Sequence, residues 1–158
     1  MNKKKIITII MIIILNINIF SAKTYVLGED INIKYDKLNL FLKELNYDLE
    51  KILIVEAYNL DEFTKITDKP YSYYSAFFIP EKNIIITQPF RILKEKNIYE
   101  ITLTHEIIHY YLTKYTILNE FEQESVINKL LNLNIKKYNK FDKFTQKDMF
   151  IYIKNERK

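Results

Sequence analysis

The chain has 158 residues, of which 48% are hydrophobic and 15% aromatic, enough for one domain with an unstapled core and not for two. It holds no cysteine, which excludes disulfides, thiolate metal sites and a cysteine nucleophile, and a single glycine, Gly28, which excludes glycine-rich phosphate loops. The formal net charge of +4 falls to +1 without Lys3, Lys4 and Lys5, so the basic balance is local and a nucleic-acid partner is not expected.

Those three lysines open an export signal over residues 1–22. The apolar run from Ile6 to Leu15 is broken only by Thr8, and Ser21 and Ala22 offer small residues for cleavage. The run is shorter than the about 20 apolar residues that span a bilayer, with an uncleaved membrane anchor as the alternative. The expectation is an exported protein (periplasmic, envelope-bound or extracellular) with one domain over residues 23–158.

In the domain, Leu38, Phe41, Leu42, Leu45 and Leu49 recur at helical offsets and predict an amphipathic helix over residues 35–51, with Asp36 as a cap near its start. Residues 52–58 are rich in β-formers and predict a strand. A short helix over residues 61–66 is entered from Asn59 and ended by Thr67-Asp68-Lys69-Pro70. Two further strands, residues 73–79 and 84–87, are joined by the turn Pro80-Glu81-Lys82-Asn83. Pro89 closes the second of these and marks it as an edge strand. Residues 98–113 form a helix that is apolar nearly all round and therefore central. The next helix, residues 119–133, is capped by Asn119 and carries Glu120, Glu122 and Glu124 in its first turns. A last helix covers Gln146–Asn155. The fold class is α+β: a small mixed sheet, with its edge strand packed on a central helix, and further helices around them.

The central helix contains both histidines of the chain, in His105-Glu106-Ile107-Ile108-His109. Residues i and i+4 share a helix face, so both imidazoles can reach one metal ion, and Glu106 can act as general base on a metal-bound water. Catalytic zinc takes three protein ligands and leaves a fourth place for water. With no third histidine, the remaining ligand is a carboxylate, and a chain that turns back after Tyr115 presents Glu120. Glu124, one turn on, can hydrogen-bond a metal-bound histidine from behind. For an oxyanion-stabilising group the candidates are Tyr110, Tyr111, Tyr115 and Tyr138.

Over residues 53–131 the order of LIVEAY, LDEFTKITDKP, NIIITQP, LTHEIIH and LNEFEQE resembles the gluzincin zinc metallopeptidases, in particular the compact peptidase MA type. The last string is similar to both the NExxxD and the W-L-x-E-G-L-A-E ligand patterns of that group. The resemblance implies a zincin-like fold, one Zn2+ held by His105, His109 and Glu120, Glu124 in the place of the usual acidic residue behind the ligands, and hydrolysis of peptide bonds. Only ten residues separate His109 from Glu120, and Phe121 stands where a glycine often follows the ligand, which leaves Glu122 and Glu124 as alternative ligands. The expected partner is a peptide or protein substrate, paired with strand 84–87. Two other readings stand beside the exported peptidase. One is a non-catalytic envelope protein that uses the same fold to bind a partner. The other is a self-limiting protease whose tail, residues 136–158, covers the cleft.

Overall fold

A computed structural model describes residues 22–158. The expected export signal therefore lies outside the described residues, apart from Ala22, and no described helix is long and apolar enough to cross a membrane. The fold is α+β, with a four-stranded mixed sheet and six helices among the described residues.

The sheet is built from β1 (Lys23–Val26), β2 (Leu53–Glu56), β3 (Ala76–Ile79) and β4 (Ile84–Thr87), in the order β1-β2-β4-β3. β1 runs antiparallel to β2, β2 parallel to β4, and β3 antiparallel to β4 in the expected hairpin. A parallel pair needs a crossover. Here it carries helix α2 (Leu60–Thr67), whose Phe63 and Ile66 cover Val55, Ile84 and Ile86 on one sheet face. The opposite face, with Ile54, Ala76, Phe78 and Ile85, joins the main core.

The expectation of an edge strand at Ile84–Thr87 is corrected by this topology: β4 lies between β2 and β3, all four of its residues are buried, and the edges are β1 and β3. The unbroken Ile-Ile-Ile run is that of a strand buried on both faces. Pro89 lies beyond the strand and precedes a helix that the sequence reading missed, α3 (Phe90–Glu95), where a proline costs no intrahelical hydrogen bond. β1 was also missed, because four residues after a polar junction carry little periodic signal.

Helix α1 (Asp36–Leu45) is shorter than expected. Asn46 adopts the left-handed conformation (φ 54°) and closes it, so Leu49 lies outside and is 47% exposed. Asp36 is its first residue and makes no side-chain cap. The central helix α4 (Tyr99–Tyr115) packs against β3, α1, α3 and α5. One side of it is locked by Glu50, whose carboxylate accepts from Tyr110, Tyr115 and Lys114, while Tyr111 donates to the Asp48 carbonyl at 2.7 Å.

Helix α5 (Glu120–Leu131) starts at Asn119 in a full capping box, in which Asn119 Oδ1 accepts from Glu122 N and Glu122 Oε2 accepts from Asn119 N. Helix α6 (Gln146–Asn155) matches its expected bounds and starts in a second capping box of Thr145 and Asp148. It buries Met149, Phe150 and Ile153 against the core and packs on α1 and α5. The tail thus completes the core and does not cover the cleft; of residues 136–158, Tyr138 alone lines it.

Candidate metal centre

On α4, Leu103, Ile107, Ile108, Tyr111 and Leu112 are buried, and His105 and His109 lie together on the side that faces the cleft, with ring centroids 4.9 Å apart. The chain reverses over residues 116–119, and α5 returns beside α4. The contacts record the antiparallel return: Thr113 meets Gln123, His109 meets Gln123 and Glu124, and His105 meets Glu124.

Glu124 Oε2 lies 3.6 Å from His105 Nε2, and Glu124 Oε1 lies 3.3 Å from His109 Nε2. Donor atoms of His105, His109 and Glu124 all fall within 4.8 Å of one another. Neighbouring ligands of a tetrahedral ion with bonds near 2.0–2.2 Å are about 3.4 Å apart, so two imidazoles and this carboxylate fit a zinc-sized ion. Glu120, expected as the third ligand, lines the same cleft but does not belong to this group; Glu124, expected behind the ligands, faces the histidines directly. Each residue of α5 moves about 1.5 Å along its axis, so Glu120 stays about 6 Å nearer the turn, and Glu124 is the acid that draws level with the histidines. Glu122, the other alternative, points to Lys140 and Tyr152.

The group behind the histidines is one that sequence reasoning missed. Gln123 Oε1 lies 3.0 Å from His109 Nδ1 and also accepts from Thr113 Oγ1, while Gln123 Nε2 donates to the Leu118 carbonyl at 2.9 Å. That last bond fixes which end of the amide faces the ring. His109 Nδ1 is then the donor to Gln123, and Nε2 faces Glu124 and the cleft. The available signal was a helix residue next to an acid, with an amide long enough to reach back across a helix–helix contact.

Electrostatics couple the same atoms. Burial pushes the Glu124 carboxyl up, but hydrogen bonds from His105 and His109 and their charge outweigh it and hold it at about 2. Burial pushes the His109 imidazole down, yet the bond to Glu124 and the charges of Glu106 and Glu124 leave it raised above its ordinary value.

Glu106 is only 9% exposed, and its Oε2 accepts from Phe78 N of the edge strand at 2.9 Å. Because successive backbone groups alternate sides, this bond shows that the free edge of β3 faces the metal group. Edge strand, Glu106, both histidines and Glu124 share one cleft of about 440 Å³. Of the four candidate tyrosines, Tyr110 and Tyr115 donate to Glu50 and Tyr111 to Asp48, which leaves Tyr138 as the one lining the cleft. No family model matches the chain, and no curated protein or solved structure matches it either.

Proposed function

We propose that the protein is an exported zinc-dependent peptidase of zincin-like fold, with His105, His109 and Glu124 as the metal ligands and Glu106 as the general base. The observation that carries this reading is the convergence of two imidazoles and one carboxylate beside a buried glutamate, in a cleft bordered by a free strand edge.

When bound, zinc supplies Lewis-acid polarisation of a scissile carbonyl and lowers the pKa of water at the open position. The chain supplies the rest. Glu106 takes the proton of the attacking water and passes it to the leaving amine. Its bond from Phe78 N fixes the carboxylate against β3, so the base is in place before substrate enters. An extended peptide pairs with the backbone of Ala76 and with the Phe78 carbonyl on the β3 edge, Phe78 N being engaged by Glu106, in the role first expected of strand 84–87. Tyr138 can donate its hydroxyl to the developing oxyanion.

The test is digestion of a peptide library by the full domain, with and without a chelator, for wild type and Glu106→Gln. Chelator-sensitive cleavage, lost in Glu106→Gln with zinc retained, is the expected result. Equal cleavage by Glu106→Gln, or none by zinc-loaded wild type, rejects the reading.

A further inference from the structure

The wall of the cleft above the edge strand contains a lysine without a counter-charge. Lys69 is half-buried and lines the cleft, with its Nζ 4.8 Å from the centre of the Phe77 ring and 5.7 Å from that of Tyr74. Among the described residues no carboxylate pairs with it, as is true of most of the described lysines; what sets it apart is its place in the cleft wall against two aromatic rings. An ammonium withdrawn from bulk water onto two aromatic faces keeps its attraction for an anion, and a low-dielectric wall strengthens that attraction.

The loop that carries it is built rather than loose. Asp68 closes α2 in the left-handed conformation, and Lys69 N donates to Thr67 Oγ1 at 3.2 Å. Gln88, fully buried, donates through Nε2 to the carbonyls of Tyr71 and Tyr74 at 2.8 and 2.7 Å. The backbone that carries Lys69 and Tyr74 is therefore fixed beside β3 before any ligand arrives.

Strand geometry says what meets this cation. Ser75 O accepts from Gln88 N on the β4 side, and Phe78 N, on the cleft side, donates to Glu106, so the backbone of β3 left for a peptide is that of Ala76 and the Phe78 carbonyl. A peptide paired with them projects alternate side chains to the two faces of the sheet. One set meets the metal group and α4. The other meets Phe77, Tyr74 and Lys69.

Resting on the peptidase reading of the same cleft, we propose that Lys69 is the specificity-determining residue and that it recognises a substrate carboxylate next to the cleaved bond. A single ammonium between aromatic faces suits a carboxylate; a phosphate would call for a guanidinium fork or several donors. Across the cleft lies Glu120, exposed and, among the described residues, without an ion-pair partner, so the walls differ in charge and orient a peptide between them.

The experiment uses the full zinc-loaded chain and a peptide library in which Glu is exchanged for Gln at each position, with free and amidated C-termini. Two readouts are taken: cleavage by wild type, Lys69→Met and Lys69→Arg, and retention of the library on immobilised Glu106→Gln protein with and without Lys69→Met. The expected preference for a carboxylate is about tenfold in kcat/KM, lost in Lys69→Met and kept in Lys69→Arg. A preference for Glu at one position assigns a side-chain carboxylate; a preference for free over amidated ends assigns the C-terminus. Lys69-dependent retention without cleavage removes the peptidase reading and leaves the carboxylate subsite standing. Cleavage or retention that is indifferent to carboxylates, or a preference unchanged in Lys69→Met, overturns the inference.

Discussion

At the scale of single residues, the proposed site divides into groups that would hold a metal, groups that would orient those holders and a base. Glu124→Ala removes a proposed ligand, and purified protein is expected to lose zinc, whereas Glu120→Ala is expected to keep it; metal analysis of the two variants separates them. Gln123→Leu leaves all three ligands in place but frees the His109 ring, so zinc affinity is expected to fall by about 10–100-fold in a competition titration. The coupled charges set a pH dependence. Glu124, depressed from 4.5 to about 2, stabilises the folded metal-free protein above pH 4.5 and loses that contribution as pH falls towards 2. His109, raised from 6.5, contributes fully below that value and loses it as pH rises through its folded-state pKa. Denaturant titrations of chelator-treated protein are therefore expected to show a stability plateau between pH 4.5 and 6.5, absent in Glu124→Gln. Zinc competes with the same proton, so its affinity is expected to rise with pH through the raised His109 value.

At the scale of elements, what matters is how α5 and β3 are set against α4. The capping box at Asn119 fixes where α5 begins, and so which acid draws level with the histidines. Asn119→Ala is expected to cost about 1 kcal/mol of stability and to weaken zinc binding in parallel, readable from thermal unfolding with and without metal. On the far side of α4, Glu50 gathers Lys114, Tyr110 and Tyr115. Its side chain is 25% exposed, so Glu50→Ala is expected to cost about 1–3 kcal/mol while leaving zinc content unchanged. Most of these elements were legible in the sequence because their signals are local. The bounds of α6, the Asn59 and Asn119 caps and the β3–β4 turn all follow from residues within a few positions of one another. β1 and α3 were not legible: each is short, and each depends on partners far along the chain, as when Phe90 N bonds Glu56 Oε1 at 2.7 Å.

At the scale of the whole molecule, the tail is tied into the fold. The C-terminal segment bonds back to the turn before α5, through Ile117 N to the Glu156 carbonyl and Lys158 N to the Tyr115 carbonyl. With Met149, Phe150 and Ile153 in the core, removal of residues 146–158 is expected to destabilise the fold and lower zinc affinity. A truncated protein that is more active than the full chain would restore the idea of a covering tail.

By itself the sequence determined the α+β class, the central helix and the paired histidines with Glu106, and it confined a proposed third ligand to the acids that open the next helix. Those conclusions rest on helical periodicity and on the absence of other ligand types, both readable without distances. Only the tertiary structure decided that β3 and not β4 is the free edge, that Glu124 and not Glu120 faces the histidines, and that Gln123 stands behind His109. Strand order and the axial level of two packed helices are relations between distant segments, and an offset of one helical turn, about 6 Å, is enough to exchange a ligand for a bystander.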